Sequence, residues 1–240
     1  MWRLCCDASR SGCALDNFHA WAKMLVAPAA PPPPVTAITP GTLWLDSQGN
    51  HLRAHSPGFH VEVDAPRSNT SSKATSATVF YMYGADRHFG RWAHGVCKVI
   101  NVYSSTDLLN WSFRGIALDS NRYADRPKVV YSALTGQYVL WVKSTPDVGV
   151  AVAETPVGPF RIVGHFPPEA GKEAGDISAF VDPENGIGWL AYSRKPFEGE
   201  RRVLRLCRMG PQLTSILHGE CVTVPGSEGL EAPALMHEPT

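Results

Sequence analysis

Asp125-Arg126-Pro127-Lys128-Val129-Val130-Tyr131, followed at once by Ser132-Ala133-Leu134-Thr135-Gly136-Gln137-Tyr138-Val139-Leu140-Trp141-Val142, is the stretch that decides the fold. It opens with a carboxylate and a cation, and its proline restricts the preceding residue to extended backbone. Two short apolar runs then flank a turn that contains Gly136. This order of residues predicts polar groups at a strand entrance that leads into a β-hairpin.

The same order of residues recurs further along the chain. Asp176 precedes a second hairpin, and Glu231 begins a third copy, Glu231-Ala232-Pro233-Ala234-Leu235-Met236. An upstream relative is Arg53-Ala54-His55, followed by the apolar run 79–83. The carboxylates of residues 125, 176 and 231 lie 51 and 55 positions apart. A period of about 50 with several short strands per unit is typical of propeller blades, so we predict an all-β fold, a β-propeller with about three blades and the start of a fourth.

The chain is expected to begin with a tail. Prolines 31–34 form a stiff, extended linker, which predicts a low-order tail over residues 1–40 and a propeller domain over residues 41–240. Ring closure removes the open edge between the first and last blades of a propeller. We therefore expect that further blades lie outside this chain or that a partner covers the edge.

Charge and hydropathy exclude some classes of partner. Lys+Arg and Asp+Glu both total 22 among 240 residues, so the charge balance gives no reason to expect nucleic acid or an anionic membrane as a partner. No apolar run reaches the length of a membrane span, and a soluble protein is expected. The N-terminus has no continuous apolar segment, so no secretory signal is assigned and the compartment stays open.

The cysteines and the common catalytic motifs predict neither a metal nor a cofactor. The six cysteines include no C-x-x-C pair, and the spacing of the N-terminal ones fits no zinc site. Cys207 and Cys221 could face each other across a hairpin, but sequence alone leaves a bridge undecided. The chain has no Gly-x-Ser-x-Gly, Gly-rich phosphate loop or His-Glu-x-x-His.

Seven short stretches together resemble family 43 glycoside hydrolases, which are five-bladed propellers, and most closely the branch that acts on β-1,3-galactan. The resemblance runs from about Gly41 to the end of the chain in the family's own order. It suggests an extracellular protein with a polysaccharide or oligosaccharide substrate. The stretches are Arg53-Ala54-His55, Tyr81-Met82-Tyr83-Gly84, residues 101–108 with Asn110-Trp111, Arg126-Pro127-Lys128-Val129, Gly158-Pro159-Phe160, Asp176 and Glu231-Ala232-Pro233.

The resemblance implies roles for particular residues. Glu231 is expected to be the general acid, and Asp176 is expected to tune and orient it. Asp125 stands where this branch usually has a glutamate that contacts the sugar. The substrate-binding residues expected with it are Arg126, Lys128, His55, Arg53 and Tyr83.

The chain also departs from the family's pattern at several positions. Ala85 stands where an acid is usual after Tyr-Gly, and Gly175 and Leu230 stand where an arginine is usual. Residues 56–59 replace a run of glycines. The C-terminal portion that carries the residue facing the water is absent from this chain, so the catalytic base is not identified. These departures bear on turnover more than on the fold.

Carboxylates at the entrances of successive blades suit glycoside hydrolysis. That reaction needs one protonated carboxyl at the leaving oxygen and a second group that activates water or attacks carbon. The entrance strands line a propeller's channel, so the three acids are expected to converge there. Crowding and partial desolvation would raise the pKa of such a carboxyl and keep it protonated. Together with the resemblance, which implies the substrate and an inverting course, these carboxylates predict hydrolysis of β-1,3-galactan or of arabinogalactan side chains by inversion.

Other interpretations remain open. Each acid could instead cap a turn or pair with a cation such as Arg126 or Lys128. The aromatic side chains on the strands, such as Tyr83 and Trp141, could pack between blades rather than stack on sugar. The chain could thus be a non-catalytic carbohydrate-binding propeller, an inactive fragment of a longer glycosidase, or a protein-binding propeller of the kelch kind.

Overall fold

The computed structural model describes residues 32–63, 78–87, 97–167, 173–195 and 200–237. Twelve strands and no helix lie within these ranges. Of the predicted tail over residues 1–40, residues 1–31, including the N-terminal cysteines, lie outside the described residues. The strands are β1 His55–Val63, β2 Thr78–Ala85, β3 Val99–Ser105, β4 Ser112–Asp119, β5 Asp125–Ser132, β6 Gln137–Ser144, β7 Asp147–Ala153, β8 Arg161–Phe166, β9 Glu173–Val181, β10 Gly188–Lys195, β11 Val203–Met209 and β12 Ile216–Thr223.

The strands form three four-stranded antiparallel sheets, each made of consecutive strands. β1–β4, β5–β8 and β9–β12 are the three meanders, and they are blades of a β-propeller. The hairpin predicted around Gly136 is β5–β6, in which Ser132 pairs with Gln137. Gly136 has a φ of 69°, a conformation that glycine adopts without strain. The predicted fold class is confirmed.

The first strands of the blades lie side by side, with β5 between β1 and β9. One apolar core fills the space between blades 1 and 2, and a second fills the space between blades 2 and 3. Trp141 is fully buried in the second core, where its Nε1 donates to the carbonyl oxygen of Leu213 at 3.1 Å. Its ring therefore packs between blades, as the alternative interpretation of the aromatic residues held.

Each first strand carries one extra residue near its start. In β1 the irregularity lies between His55 and Gly58, and in β5 it lies between Asp125 and Lys128. In β9 the extra residue falls within 174–177. A β-bulge of this kind bends the strand and redirects the side chains around it. The three bulges therefore bend β1, β5 and β9 near their starts and redirect the side chains there.

A disulfide closes the third blade. Cys207 on β11 and Cys221 on β12 are paired directly in the antiparallel register and form a bridge. This settles the pairing that the sequence left undecided. Among the described residues, Cys97 is a buried free thiol. The described residues contain no helix long and apolar enough to cross a membrane.

Candidate active site

Asp125 is the first residue of β5 and is only 1% exposed. Tyr123 donates its hydroxyl to Oδ2 at 2.9 Å, and the guanidinium of Arg87 lies 2.5 Å from the same oxygen. Oδ1 accepts the backbone N–H of Arg126 at 2.9 Å and lies 3.4 Å from Nδ1 of His55. The carboxylate is thus held by partners from three separate segments of the chain.

These partners determine the ionisation of Asp125. Burial opposes the charged form, but the hydrogen bonds from Tyr123 and the Arg126 backbone, together with the charge of Arg87, outweigh it and lower the pKa of Asp125. Burial and the neighbouring carboxylate raise the pKa of Tyr123 to about 12, so its hydroxyl remains a donor. At this position the expectation that crowding would keep a carboxyl protonated is wrong, because the neighbours are mostly cations and donors. Asp125 is an ionised carboxylate.

Asp176 lies within the bulge of β9 and is 5% exposed. Nε of Arg126, which comes from the neighbouring blade, is 2.6 Å from its Oδ1, and Nζ of Lys143 is 3.7 Å away. The N–H direction at Arg126 Nε misses the carboxylate, so this contact is an ion pair rather than an aligned hydrogen bond. The backbone N–H of Asp176 donates to Ser193 Oγ at 2.9 Å. Arg126 therefore joins blade 2 to blade 3 at the bulged end.

Lys128 and Gly58 join blade 1 to blade 2 at the same end. Nζ of Lys128 donates to the carbonyl oxygens of Pro57 at 3.4 Å and Pro127 at 3.2 Å. Desolvation, reinforced by the charge of Arg126, lowers the pKa of Lys128 to about 8. A Cβ on Gly58 would lie 2.1 Å from the carbonyl oxygen of Pro127, so only glycine allows the two bulges to approach this closely.

Glu231 lies outside the strands and is half exposed. Its carboxylate forms an ion pair with Arg202. The backbone N–H of Leu235 donates to Ser178 Oγ at 3.3 Å, which places the segment 231–237 beside β9. Glu231 thus begins a segment that lies beside β9, but its described ion pair is with Arg202 rather than with a member of the Asp125 and Asp176 cluster.

The backbone shows which of the predicted site residues are equivalent. His55, Asp125 and Glu231 are each followed by a residue in the left-handed region and then by a proline; the φ values are 48° at Ser56, 52° at Arg126 and 52° at Ala232. Asp176 lies inside its bulge, at the position that Pro127 occupies in β5. The expectation that the three acids stand at equivalent strand entrances is therefore wrong for Asp176, although its side chain joins the same cluster through Arg126.

Comparison with known proteins places this fold and cluster in context. No family model matches the sequence, and no curated protein matches it. Among solved structures, the exo-β-1,3-galactanase of Phanerochaete chrysosporium with galactose is 26% identical; the match has a TM-score of 0.59 and covers 75% of this chain and 40% of that one. A glutamate-to-glutamine variant of that enzyme with β-1,3-galactotriose matches at 26% identity and a TM-score of 0.64, covering 82% and 44%. The chain is related to the galactan branch of glycoside hydrolase family 43.

Two further solved structures share the fold of this chain. The exo-β-1,3-galactanase of Clostridium thermocellum is 26% identical, with a TM-score of 0.57, and the match covers 75% of this chain and 39% of that one. A family 43 β-1,3-galactosidase with galactodeoxynojirimycin is 23% identical and shares the fold, with a TM-score of 0.62 over 84% of this chain and 70% of that one. The chain spans about 40% of the length of the galactanases that it matches.

One of the expected sugar-binding residues, Tyr83, lies apart from the Asp125 and Asp176 cluster. Tyr83 has no exposed surface; its hydroxyl donates to the carbonyl oxygen of Pro156 at 2.5 Å, and its ring packs edge-on against Phe160. It is part of the core, and we do not include it in the site. Arg53 is partly exposed, with its guanidinium 3.9 Å from the carboxylate of Asp86.

Sequence reasoning missed several residues that hold the cluster. Arg87 follows β2, Tyr123 precedes β5, and Lys143 lies on β6, so none of them belongs to the repeated motif. Arg202, the partner of Glu231, precedes β11. The proline two residues after His55 was a signal that could have linked His55 to Asp125 and Glu231, but no sequence signal pointed to Arg87, Lys143 or Arg202.

Proposed function

We propose that this chain is a glycoside hydrolase that acts on β-1,3-galactan or on arabinogalactan side chains by inversion. Glu231 is the general acid, and Asp176 orients it and tunes its protonation. Asp125, Arg126, Lys128, His55 and Arg53 bind the sugar near these acids. The chain's relationship to galactanases that bind galactose and β-1,3-galactotriose supports the substrate class.

One observation carries the proposal: carboxylates and cations from neighbouring blades meet at one end of the row of first strands. Asp125 and Asp176 are buried yet paired with cations. The partly exposed side chains of this cluster, His55 and Arg126, can donate hydrogen bonds to sugar hydroxyls while the buried carboxylates hold them in place. Glu231, on the segment beside β9, is more exposed than either buried carboxylate, and it reaches a leaving oxygen by giving up its ion pair with Arg202. The division between fixed carboxylates and an accessible one suits acid catalysis.

The test is hydrolysis of β-1,3-galactan and galactotriose, with product anomers followed by proton NMR. Glu231→Gln is expected to lower turnover at least 10²-fold while retaining galactotriose binding, because it removes the transferable proton and keeps the shape. Glu228→Gln changes an exposed glutamate three residues earlier and is the matched control, which should retain full turnover. Equal turnover in the two variants would reject Glu231 as the acid.

A second candidate is a carbohydrate-binding propeller without turnover. It is favoured by the ion pair between Glu231 and Arg202, which occupies the carboxylate that must donate a proton. This alternative predicts that galactotriose raises the melting temperature of the wild-type chain while no galactose is released. The same assay on a version of the chain extended with further blades separates an incomplete enzyme, which would become active, from a binding protein, which would not.

A further inference from the structure

His55 occupies in blade 1 the position that Asp125 occupies in blade 2. Both residues stand directly before the bulge, both are followed by a residue with φ near 50° and then by a proline, and Glu231 begins a third segment of this form. Their side chains therefore leave the backbone in the same local frame. At two of these three positions the residue is an acid, Asp125 or Glu231, and in blade 1 it is a histidine, His55.

The contacts of His55 are those of an oriented base. Its Nδ1 lies 3.4 Å from Oδ1 of Asp125 and 2.8 Å from Oγ of Ser56, and its side chain is 39% exposed. Asp125 is ionised and is fixed from its other side by Arg87 and Tyr123. The ionised carboxylate beside Nδ1 favours the tautomer that carries its proton there, with the Ser56 oxygen as the nearer acceptor of that N–H, and this tautomer leaves Nε2 with a lone pair. A histidine oriented in this way can accept a proton from water.

We propose that His55 is the general base of the hydrolysis, an inference that rests on the proposed function. Nε2 of His55 takes a proton from a water molecule as the water oxygen forms a bond to the anomeric carbon. The bond from that carbon to the glycosidic oxygen breaks, and the carboxyl of Glu231 gives its proton to the leaving oxygen. One water is consumed, and the enzyme regains its starting state when the His55 proton returns to Glu231 through solvent.

The placement of the two groups in the row of strands fits this assignment. β5 and β9 lie between β1, which carries His55, and the segment that carries Glu231. An inverting enzyme needs its base and its acid on opposite faces of the sugar, with room for water at the base. Asp125 and Asp176 are less suited to this role, because both are buried and already held by cations.

The experiment compares His55→Ala with the wild-type chain on galactotriose, with and without azide. Loss of a general base lowers turnover by about 10² to 10⁴-fold. In the alanine variant, azide fits the space of the lost ring and needs no base, so it is expected to restore cleavage and to give the α-galactosyl azide, identified by NMR and mass spectrometry. His51→Gln, at an exposed histidine on the preceding loop, is the control and should behave as wild type.

Two further measurements keep the result interpretable. His55→Asn retains a side-chain donor toward Asp125 but has no base, so it should be as inactive as the alanine variant while keeping the wild-type melting temperature. Turnover of either variant within a few-fold of wild type would overturn the assignment of His55 and leave the hydrolase proposal standing. Loss of activity without an azide product would also overturn it. Absence of turnover in the wild-type chain would overturn both proposals.

Discussion

Asp125 and Glu231 begin the same local motif but have different surroundings. Each is followed by a left-handed residue and a proline. Asp125 is 1% exposed and is contacted by Tyr123, Arg87, His55 and the backbone of its own strand, whereas the side chain of Glu231 is 52% exposed and pairs with an arginine. The same left-handed residue and proline thus follow a fixed carboxylate at one position and an accessible one at the other.

The difference between the two acids teaches how one motif can serve two roles. The partners of Asp125 lower its pKa, which suits a residue that accepts hydrogen bonds and orients His55. A general acid needs the opposite property, a proton that it can give up and regain, together with access to the substrate. We therefore expect substitutions at Asp125 to affect the fold strongly and substitutions at Glu231 to affect turnover more than the fold.

The largest expected effect on stability comes from Asp125→Ala. Removing the carboxylate breaks the ion pair with partly buried Arg87 and the hydrogen bond from Tyr123, and the free energy of unfolding should fall by about 3 kcal/mol. Glu231→Ala, which removes an exposed ion pair, should cost about 0–1 kcal/mol. Urea unfolding of both variants beside the wild-type chain measures the contrast, and equal losses would show that the two acids are structurally alike.

The pH dependence of the stability difference between the wild-type chain and Asp125→Ala is a control for that prediction. The pKa of Asp125 is lowered in the folded protein, so the stabilisation is present above the unfolded value of about 3.9 and is lost as pH falls through the folded value. The gap in stability between the wild-type chain and Asp125→Ala should therefore be full at pH 6 and should narrow below about pH 4. A gap that does not change with pH would indicate lost packing rather than a lost ion pair.

An intermediate effect is expected from Gly58→Ala, which tests whether the bulges of blades 1 and 2 hold Asp125 in place. The added Cβ would lie 2.1 Å from a backbone oxygen of Pro127, so one bulge must move, at a cost of about 2 kcal/mol. Gly219→Ala is the matched control, since a Cβ there meets no atom within 4 Å and β12 is an outer strand. It should be neutral or slightly stabilising. Urea unfolding of the two variants checks this difference.

The smallest expected effect comes from Lys128→Met at neutral pH. Because the pKa of Lys128 falls from its usual 10.5 to about 8 on folding, the folded protein binds fewer protons than the unfolded chain between these two values. The stability of the wild-type chain should therefore rise across that range relative to the variant. Below pH 8 the methionine variant should be more stable by about 1 kcal/mol, and this advantage should shrink toward pH 10. Thermal unfolding at pH 7 and 9.5 measures the stability advantage of the methionine variant. An advantage that grows with pH would contradict the lowered pKa of Lys128.

The sequence predicted the elements that depend on local pattern. The β5–β6 hairpin around Gly136 and the blade period were both apparent from apolar runs and turn residues, because strand pairing within a blade joins segments close in sequence. The sequence also indicated that Cys207 and Cys221 could face each other across a hairpin, for the same reason. Whether they form a disulfide depended on the distance between their Cα atoms, which only the structure gives. The assignment of Tyr83 to the sugar site failed, because a motif does not show which face of its strand meets the neighbouring blade.

The repeated strands, their turns and the acids near their entrances follow from the sequence by itself, since side-chain alternation and turn preference act over a few residues. Only the tertiary structure decided which charges meet. Arg87 and His55 reach Asp125 from positions 38 and 70 residues away, and Arg126 reaches Asp176 across a blade boundary. Coulombic and hydrogen-bonding energies depend on distances of a few ångströms and on burial, and packing of separate blades sets both.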